Sequence, residues 1–236
     1  MTVMGAELRR IGLLGGMSWE STALYYRLVN EEVRDRLGGF HSARLVLASV
    51  DFAEVEAMQA SGDWAAAGEL LAAEARNLEA AGAECVVLCT NTMHKVSDAI
   101  EAAVDVPLLH LADVTADAVR AAGLDRVALL GTRFTMEQPF YADRLRSHGI
   151  DVLVPEGDDL TLVHDVIYDE LVLGVVRDES RAAYVDVVRR LVERGAGGVV
   201  LGCTEIELLI GPGDVDVPVF ATTALHARSA VDFSLS

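Results

Sequence analysis

"IGLLGGM" (11–17) returns as "VALLGTR" (127–133), 116 residues further along, and this pair of stretches decides how the chain is read. Each is an unbroken apolar run closed by glycine. The echo does not stop there. "VVLCTNT" (86–92) recurs as "VVLGCTE" (199–205), an offset of 113, and "VPLLH" (106–110) as "VPVFA" (217–221), an offset of 111. A weaker match sets "RLVLASV" (44–50) against "GIDVLVP" (149–155). One Val/Leu run resembling another is cheap; four in the same order at nearly constant spacing indicate a repeated supersecondary unit.

The runs are continuous in Val, Leu and Ile, not alternating. Strands of that kind are covered on both faces, as in parallel sheets. Helical stretches alternate with them, at 18–37, 63–82, 93–104 and 112–123, and 106–111 reads as a further strand. The expected fold class is therefore α/β: two pseudo-symmetric α/β halves, each with a short, mainly parallel sheet flanked by helices. The halves are drawn at 1–112 and 113–236, with the C-terminal helix free to pack back on the first. No Pro/Gly/Ser-rich linker separates them, so tight packing is expected. In open α/β sheets ligands bind beyond the carboxyl ends of the strands. That predicts an active site in the cleft between the halves, built from the loops after 15, 89, 131 and 202.

Composition narrows the function classes. At 236 residues and 52% hydrophobic content, the chain has ample material for a core. Its formal charge is −18, which repels nucleic acid and anionic membranes, so neither is expected as a partner. No apolar run reaches membrane-spanning length. The opening "MTVMGAELRR" has neither an h-region nor a cleavage site, which makes the cytoplasm the expected compartment. Cys85, Cys89 and Cys203 are an odd, sparse set that reads as free thiols. None has a partner at zinc spacing, so no metal is expected.

Aligning the two "VVL" runs places Cys89 opposite Gly202, Thr90 opposite Cys203 and Asn91 opposite Thr204. The pseudo-symmetric mate of Cys203 is thus Thr90. Cys203 follows a glycine, stands beside polar Thr204 and Glu205, and precedes what reads as a helix start, where amides and the helix dipole favour a thiolate. The bland alternative is an inert buried cysteine. Cys85 and Cys89 read as small hydrophobes of a strand. Thr90, Asn91 and Thr92 suit helix capping, and equally a cradle of amides and hydroxyls for a carboxylate. Gly15 and Gly16 read as a close backbone approach to a small anion. His94, Lys95 and Glu205 are candidates to support these groups from behind, whereas His164, in an apolar helical run, reads as structural.

Taken together, "IGLLGGMSWEST", "CTNTMHK", "ALLGTRFTMEQPFY", "IYDELVLG" and "GCTEIELL" resemble the aspartate/glutamate racemase family, most closely its broad-specificity amino-acid racemases. The resemblance runs over essentially the whole chain. It implies a two-domain pseudo-symmetric fold, often dimeric, and hence a homodimer. It implies cofactor-independent racemisation of a small-molecule amino acid, aspartate, glutamate or a broader set, by two bases on opposite faces of the α-carbon. Many members carry a cysteine at both positions; this chain carries Thr90 and Cys203. A thiol titrates within reach of neutral pH and a threonine hydroxyl does not, so Cys203 is expected as the base and Thr90 as a proton donor or relay. Carbanion character would be stabilised by fixed donors, the amides and hydroxyls of Thr90, Asn91, Thr92, Thr132 and Thr204, and Thr135 and Glu205 are expected beside them in the substrate-binding set. Met17 and Met136 are expected at the substrate side chain. Arg44 and Arg133 lie near strand ends, where either could meet a side-chain carboxylate. The alternatives are a single-cysteine decarboxylase or isomerase of a small diacid, and a non-catalytic small-acid-binding homologue.

Overall fold

The computed structural model describes residues 8–236, which divide into two compact units, Leu111–Leu225 and the remainder. The first unit contains strands β1 (Ile11–Gly15), β2 (Leu45–Ser49) and β3 (Cys85–Leu88) in the order β2-β1-β3, all parallel. Helices α1 (Trp19–Leu37), α2 (Phe52–Ser61), α3 (Trp64–Ala80) and the short α4 (Ser97–Glu101) accompany them. Every residue of β1 and β3 is buried, as unbroken apolar runs require, while edge strand β2 is only partly covered. Capping is local: Ser18, Asp51 and Asp63 each accept an amide N–H at the start of α1, α2 and α3.

The second unit begins with α5 (Leu111–Ala121). Its strands are β4 (Arg126–Gly131), β5 (Asp151–Leu153), β6 (Val199–Gly202) and β7 (Val219–Ala221), parallel, in the order β5-β4-β6-β7. Between them lie α6 (Arg133–Glu137), α7 (Pro139–Ser147), α8 (Asp158–Asp169) and α9 (Asp178–Glu193). Helix α10 (Thr222–Leu235) starts in this unit, and its residues from His226 onward belong to the first. There Ala227, Ala230 and Val231 join Ile11, Leu13, Tyr25 and Val87 in one cluster.

The two sheets have the same topology. The first-repeat element 106–111 is the exception in length: it forms a single parallel bridge, Val86↔Leu108, where β7 forms a full strand. The expected strand there is corrected for a definite reason. Pro107 has no N–H to donate, and the Leu109 carbonyl is taken by the imidazole of His226 at 2.6 Å. With both groups out of the ladder, pairing stops and the chain enters α5. The expected helix at 93–104 also differs, being a 3₁₀ turn at Thr92–Val96 followed by α4. Among the described residues, no helix is long and apolar enough to cross a membrane.

Candidate active site

Register fixes the equivalence of the two motif loops. Leu14 pairs with Leu88, and Leu130 pairs with Leu201. Thr90 and Cys203 each lie two residues beyond such a pair, at the carboxyl ends of β3 and β6. Each loop then enters a 3₁₀ turn, Thr92–Val96 four residues after β3 and Thr204–Leu208 two residues after β6. The helix expected after Cys203 is thus five residues of 3₁₀ winding, too short for a developed dipole. Asn91 precedes its turn without a side-chain capping bond, so capping does not account for it.

The three thiols differ sharply. Cys85 in β3 and Cys89 just after it are fully buried, and burial pushes Cys85 up to about 12 and raises Cys89 as well. Cys203 is partly exposed and in extended backbone. Its Sγ–H donates to Glu205 Oε2 at 2.9 Å. Burial, then the Glu205 charge and its hydrogen bond, raise the Cys203 pKa well above the usual thiol value. This corrects the expected dipole-stabilised thiolate: the resting group is a thiol facing a carboxylate. Tyr184, fully buried among the side chains beneath it, is likewise pushed up by burial and by Cys203, and its hydroxyl donates to the Val163 carbonyl at 2.6 Å. Glu207 is raised by burial while its Oε1 accepts the Thr223 N–H at 3.1 Å, at the start of α10.

Thr90 is 9% exposed, Asn91 6% and Thr204 8%, so these polar side chains sit at strand ends largely removed from bulk water. Thr132 is similarly placed and caps α6 by accepting the Thr135 N–H at 3.4 Å. Thr135 itself is 0% exposed. It fills the space over Gly131 and Gly202, where a Cβ would meet it at 3.0–3.2 Å, and so shapes the loop. Met17 and Met136 each pack into the apolar core of their unit, among Leu14, Val55 and Met93 or Leu130, Val163 and Ile206. The glycines after β1 also serve the protein itself. A Cβ on Gly15 would strike the Thr22 side chain at 2.4 Å, and one on Gly16 the Val50 carbonyl at 2.2 Å. The Gly16 N–H donates to Thr22 Oγ1 at 2.8 Å, which leaves no open anion cradle there. Arg44 precedes β2, at the amino end of the sheet with Arg9 and Arg10, the wrong end for this site. Arg133 is at the carboxyl end of β4 and pairs with Glu137 at 3.3 Å.

Sequence reading missed a buried histidine group in the first unit. His94, His110 and His226 are 2%, 6% and 0% exposed. The His94 ring lies 4.7 Å from His110 and 5.9 Å from His226. His94 Nδ1–H donates to the Thr90 carbonyl at 2.7 Å. The Tyr25 hydroxyl donates to His226 Nδ1 at 2.9 Å, and His226 Nε2–H donates to Leu109 O. Separations of 201 and 117 residues left no local signal for these pairs. His164, read as structural, lies at the site end of β4: its Nδ1 accepts the Arg133 N–H at 3.3 Å.

The histidines carry a pH prediction. Burial, then His110, lower His94 well below the usual imidazole value; burial, opposed by the Leu109 hydrogen bond, lowers His226 to about 4. A histidine lowered in the folded state is protonated preferentially on unfolding. Its stabilisation is complete above the unfolded value of about 6.5 and is lost as pH falls toward the folded value. For His226 alone the loss approaches roughly 3 kcal/mol. Urea unfolding compared at about pH 7.5 and about pH 5 should show wild type losing more stability than His226→Asn.

Comparison with known proteins gives a consistent picture. The family model for Asp/Glu/Hydantoin racemase matches residues 14–230. A Yersinia pestis structure, provisionally assigned as an Asp/Glu racemase, is 52% identical and covers 97% of this chain and 100% of that one, with a TM-score of 0.93. An aspartate racemase homologue from Pyrococcus horikoshii is 32% identical over 97% of this chain and 100% of that one, with a TM-score of 0.88. An arylmalonate decarboxylase mutant shares the fold at 16% identity, covering 96% and 92% of the two chains, with a TM-score of 0.57.

Proposed function

The chain belongs to the Asp/Glu/hydantoin racemase family, and from that premise we propose that it inverts the α-carbon of an amino acid without a cofactor. Aspartate, glutamate or a broader set of amino acids would be substrates. Cys203 serves as the base on one face, and Thr90 relays a proton to the other. The observation that carries this reading is the 2.9 Å hydrogen bond from Cys203 Sγ to Glu205 Oε2. Burial and Glu205 itself keep the thiol protonated at rest, and the same carboxylate is the acceptor in place when the thiol gives up its proton. Glu205 takes the Sγ proton, the thiolate removes the α-proton, and Glu205 then releases its proton to solvent, balancing the one that Thr90 takes up. This shifts Glu205 from substrate binding to thiol activation.

On the opposite face, Thr90 cannot hold alkoxide charge near neutral pH. It passes a proton to the carbanion while taking another from solvent, so no net charge stays on the hydroxyl. In the reverse direction the Cys203 thiol protonates and Thr90 relays outward. The α-proton is very weakly acidic, so the reading also needs fixed donors around the α-carboxylate. Asn91, Thr92, Thr132 and Thr204 are assigned that part. The placement of Asn91, Thr132 and Thr204 just beyond strand ends with little exposure supports it, and Thr92, partly exposed, opens the turn that follows Asn91. The asymmetry between thiol and hydroxyl makes one enantiomer the better substrate, which we take to be L.

The test is proton NMR in D₂O with L-Asp, L-Glu and a panel of other L-amino acids, followed by chiral analysis. Loss of the α-proton signal with appearance of the D-isomer is the expected result. No exchange on any substrate would overturn the proposal. The rival is a single-cysteine decarboxylase, favoured by Cys203 being the one partly exposed thiol; release of carbon dioxide from a small diacid would mark it. Thr90→Cys replaces the relay with a titratable base, so turnover of the poorer enantiomer should rise by about tenfold. An unchanged enantiomer preference would refute the two-face assignment.

A further inference from the structure

We propose that His94 is a positioning residue for Thr90, fixing the Thr90 carbonyl through its Nδ1–H so that the hydroxyl side chain keeps the direction that inversion requires. This rests on the reading of Thr90 as the proton relay. The contact itself is short, 2.7 Å, and a carbonyl only accepts, so the ring proton is on Nδ1. The backbone N–H of His94 also donates to the Asn91 carbonyl at 3.1 Å. One residue therefore holds the two consecutive carbonyls of the motif.

The ring is itself flanked by two other imidazoles. His110 meets it edge-on, from the segment before α5. His226 approaches from α10 and is fixed at both nitrogens, by Tyr25 of α1 and by the Leu109 carbonyl. Burial acts on the ring first, followed by the two other imidazoles, and the Thr90 and Asn91 backbone bonds oppose them. Lys95, the neighbouring cation, lies over the Trp64 ring at 3.7 Å. The His94 ring is thus neutral and locked in one tautomer, which suits a group that orients without titrating.

The second unit shows that the loop does not need such a residue merely to fold. There the Cys203 carbonyl is held by the backbone N–H of Ile206 at 3.1 Å. The position matching His94 in the repeat is Glu207, which serves the Thr223 amide instead. Only the loop bearing a hydroxyl, whose proton transfer depends on direction more than on acidity, carries the buried imidazole.

The test separates exchange from inversion in D₂O. With wild type, α-deuteration of the L-substrate is accompanied by D-isomer. In His94→Leu, deuteration with retained configuration by Cys203 should stay within about twofold while D-isomer formation falls by at least about tenfold. His94→Asn places an amide N–H near the lost Nδ1 and should restore inversion. His94→Gln places it one atom too far and should not. The Asn/Gln comparison decides the matter even if His94→Leu does not fold. Equal loss of exchange and inversion, equal behaviour of Asn and Gln, or an unchanged ratio in every variant would overturn the proposal. Absence of exchange in wild type would instead sink the racemase reading on which it rests.

Discussion

Cys203→Ala should abolish α-proton exchange, with a loss of at least about 10³-fold in kcat/KM, equivalent to ~4 kcal/mol of transition-state stabilisation. The proposed mechanism has one group able to carry the abstracted proton, and alanine removes it. Neither Thr90 nor Glu205 substitutes: one is a hydroxyl, and the other is engaged with the thiol rather than the α-carbon. The fold should survive, because Cys203 is only partly buried at the edge of its cluster. Circular dichroism and urea unfolding check that. Cys85→Ala and Cys89→Ala are the controls. Both thiols are fully buried and held protonated, so their loss should lower stability by ~1 kcal/mol and leave exchange within about threefold. If Cys203→Ala retains exchange, the thiol assignment is wrong.

Glu205→Gln should have the next largest effect and a more informative shape. The wild-type thiol has a carboxylate 2.9 Å away to receive its proton. An amide cannot receive it, so near neutral pH the rate should fall by about 10²-fold. The charge of Glu205 also raises the Cys203 pKa, so its removal eases direct ionisation to solvent. The sign of the pH dependence follows. The variant depends on the fraction of free thiolate, so its rate should climb steeply with rising pH and recover in alkaline buffer. Wild type should climb less over the same range, because its proton acceptor is built in. Exchange rates for both proteins between about pH 7 and about pH 9.5 would check this. Parallel profiles would mean that Glu205 is not the acceptor.

Much of this architecture was legible without coordinates. Continuous Val/Leu runs in β1, β3, β4 and β6 imply two-sided burial, and two-sided burial implies parallel pairing. The offset repeat gives the shared strand order, and it already sets Thr90 opposite Cys203. What resisted reading were groups whose role depends on neighbours distant in sequence. Met17 and Met136 look like adaptable contacts beside a motif, yet both are core residues. Gly15 and Gly16 look like a ligand cradle, yet they make room for Thr22 and Val50. A small residue after a strand signals close approach; it does not say what approaches.

The sequence alone therefore determined the fold class, the repeat and the identity of the two loop residues, because those follow from local periodicity and from order along the chain. The tertiary structure alone decided the surroundings of the thiol and the support of the loops. Desolvation and the Glu205 carboxylate reverse the expected state of Cys203, since a pKa reports everything within a few ångströms, whatever its place in the chain. In the same way, a helix more than a hundred residues away supplies His226 to end the Val86↔Leu108 bridge and to stand behind the ring that holds Thr90.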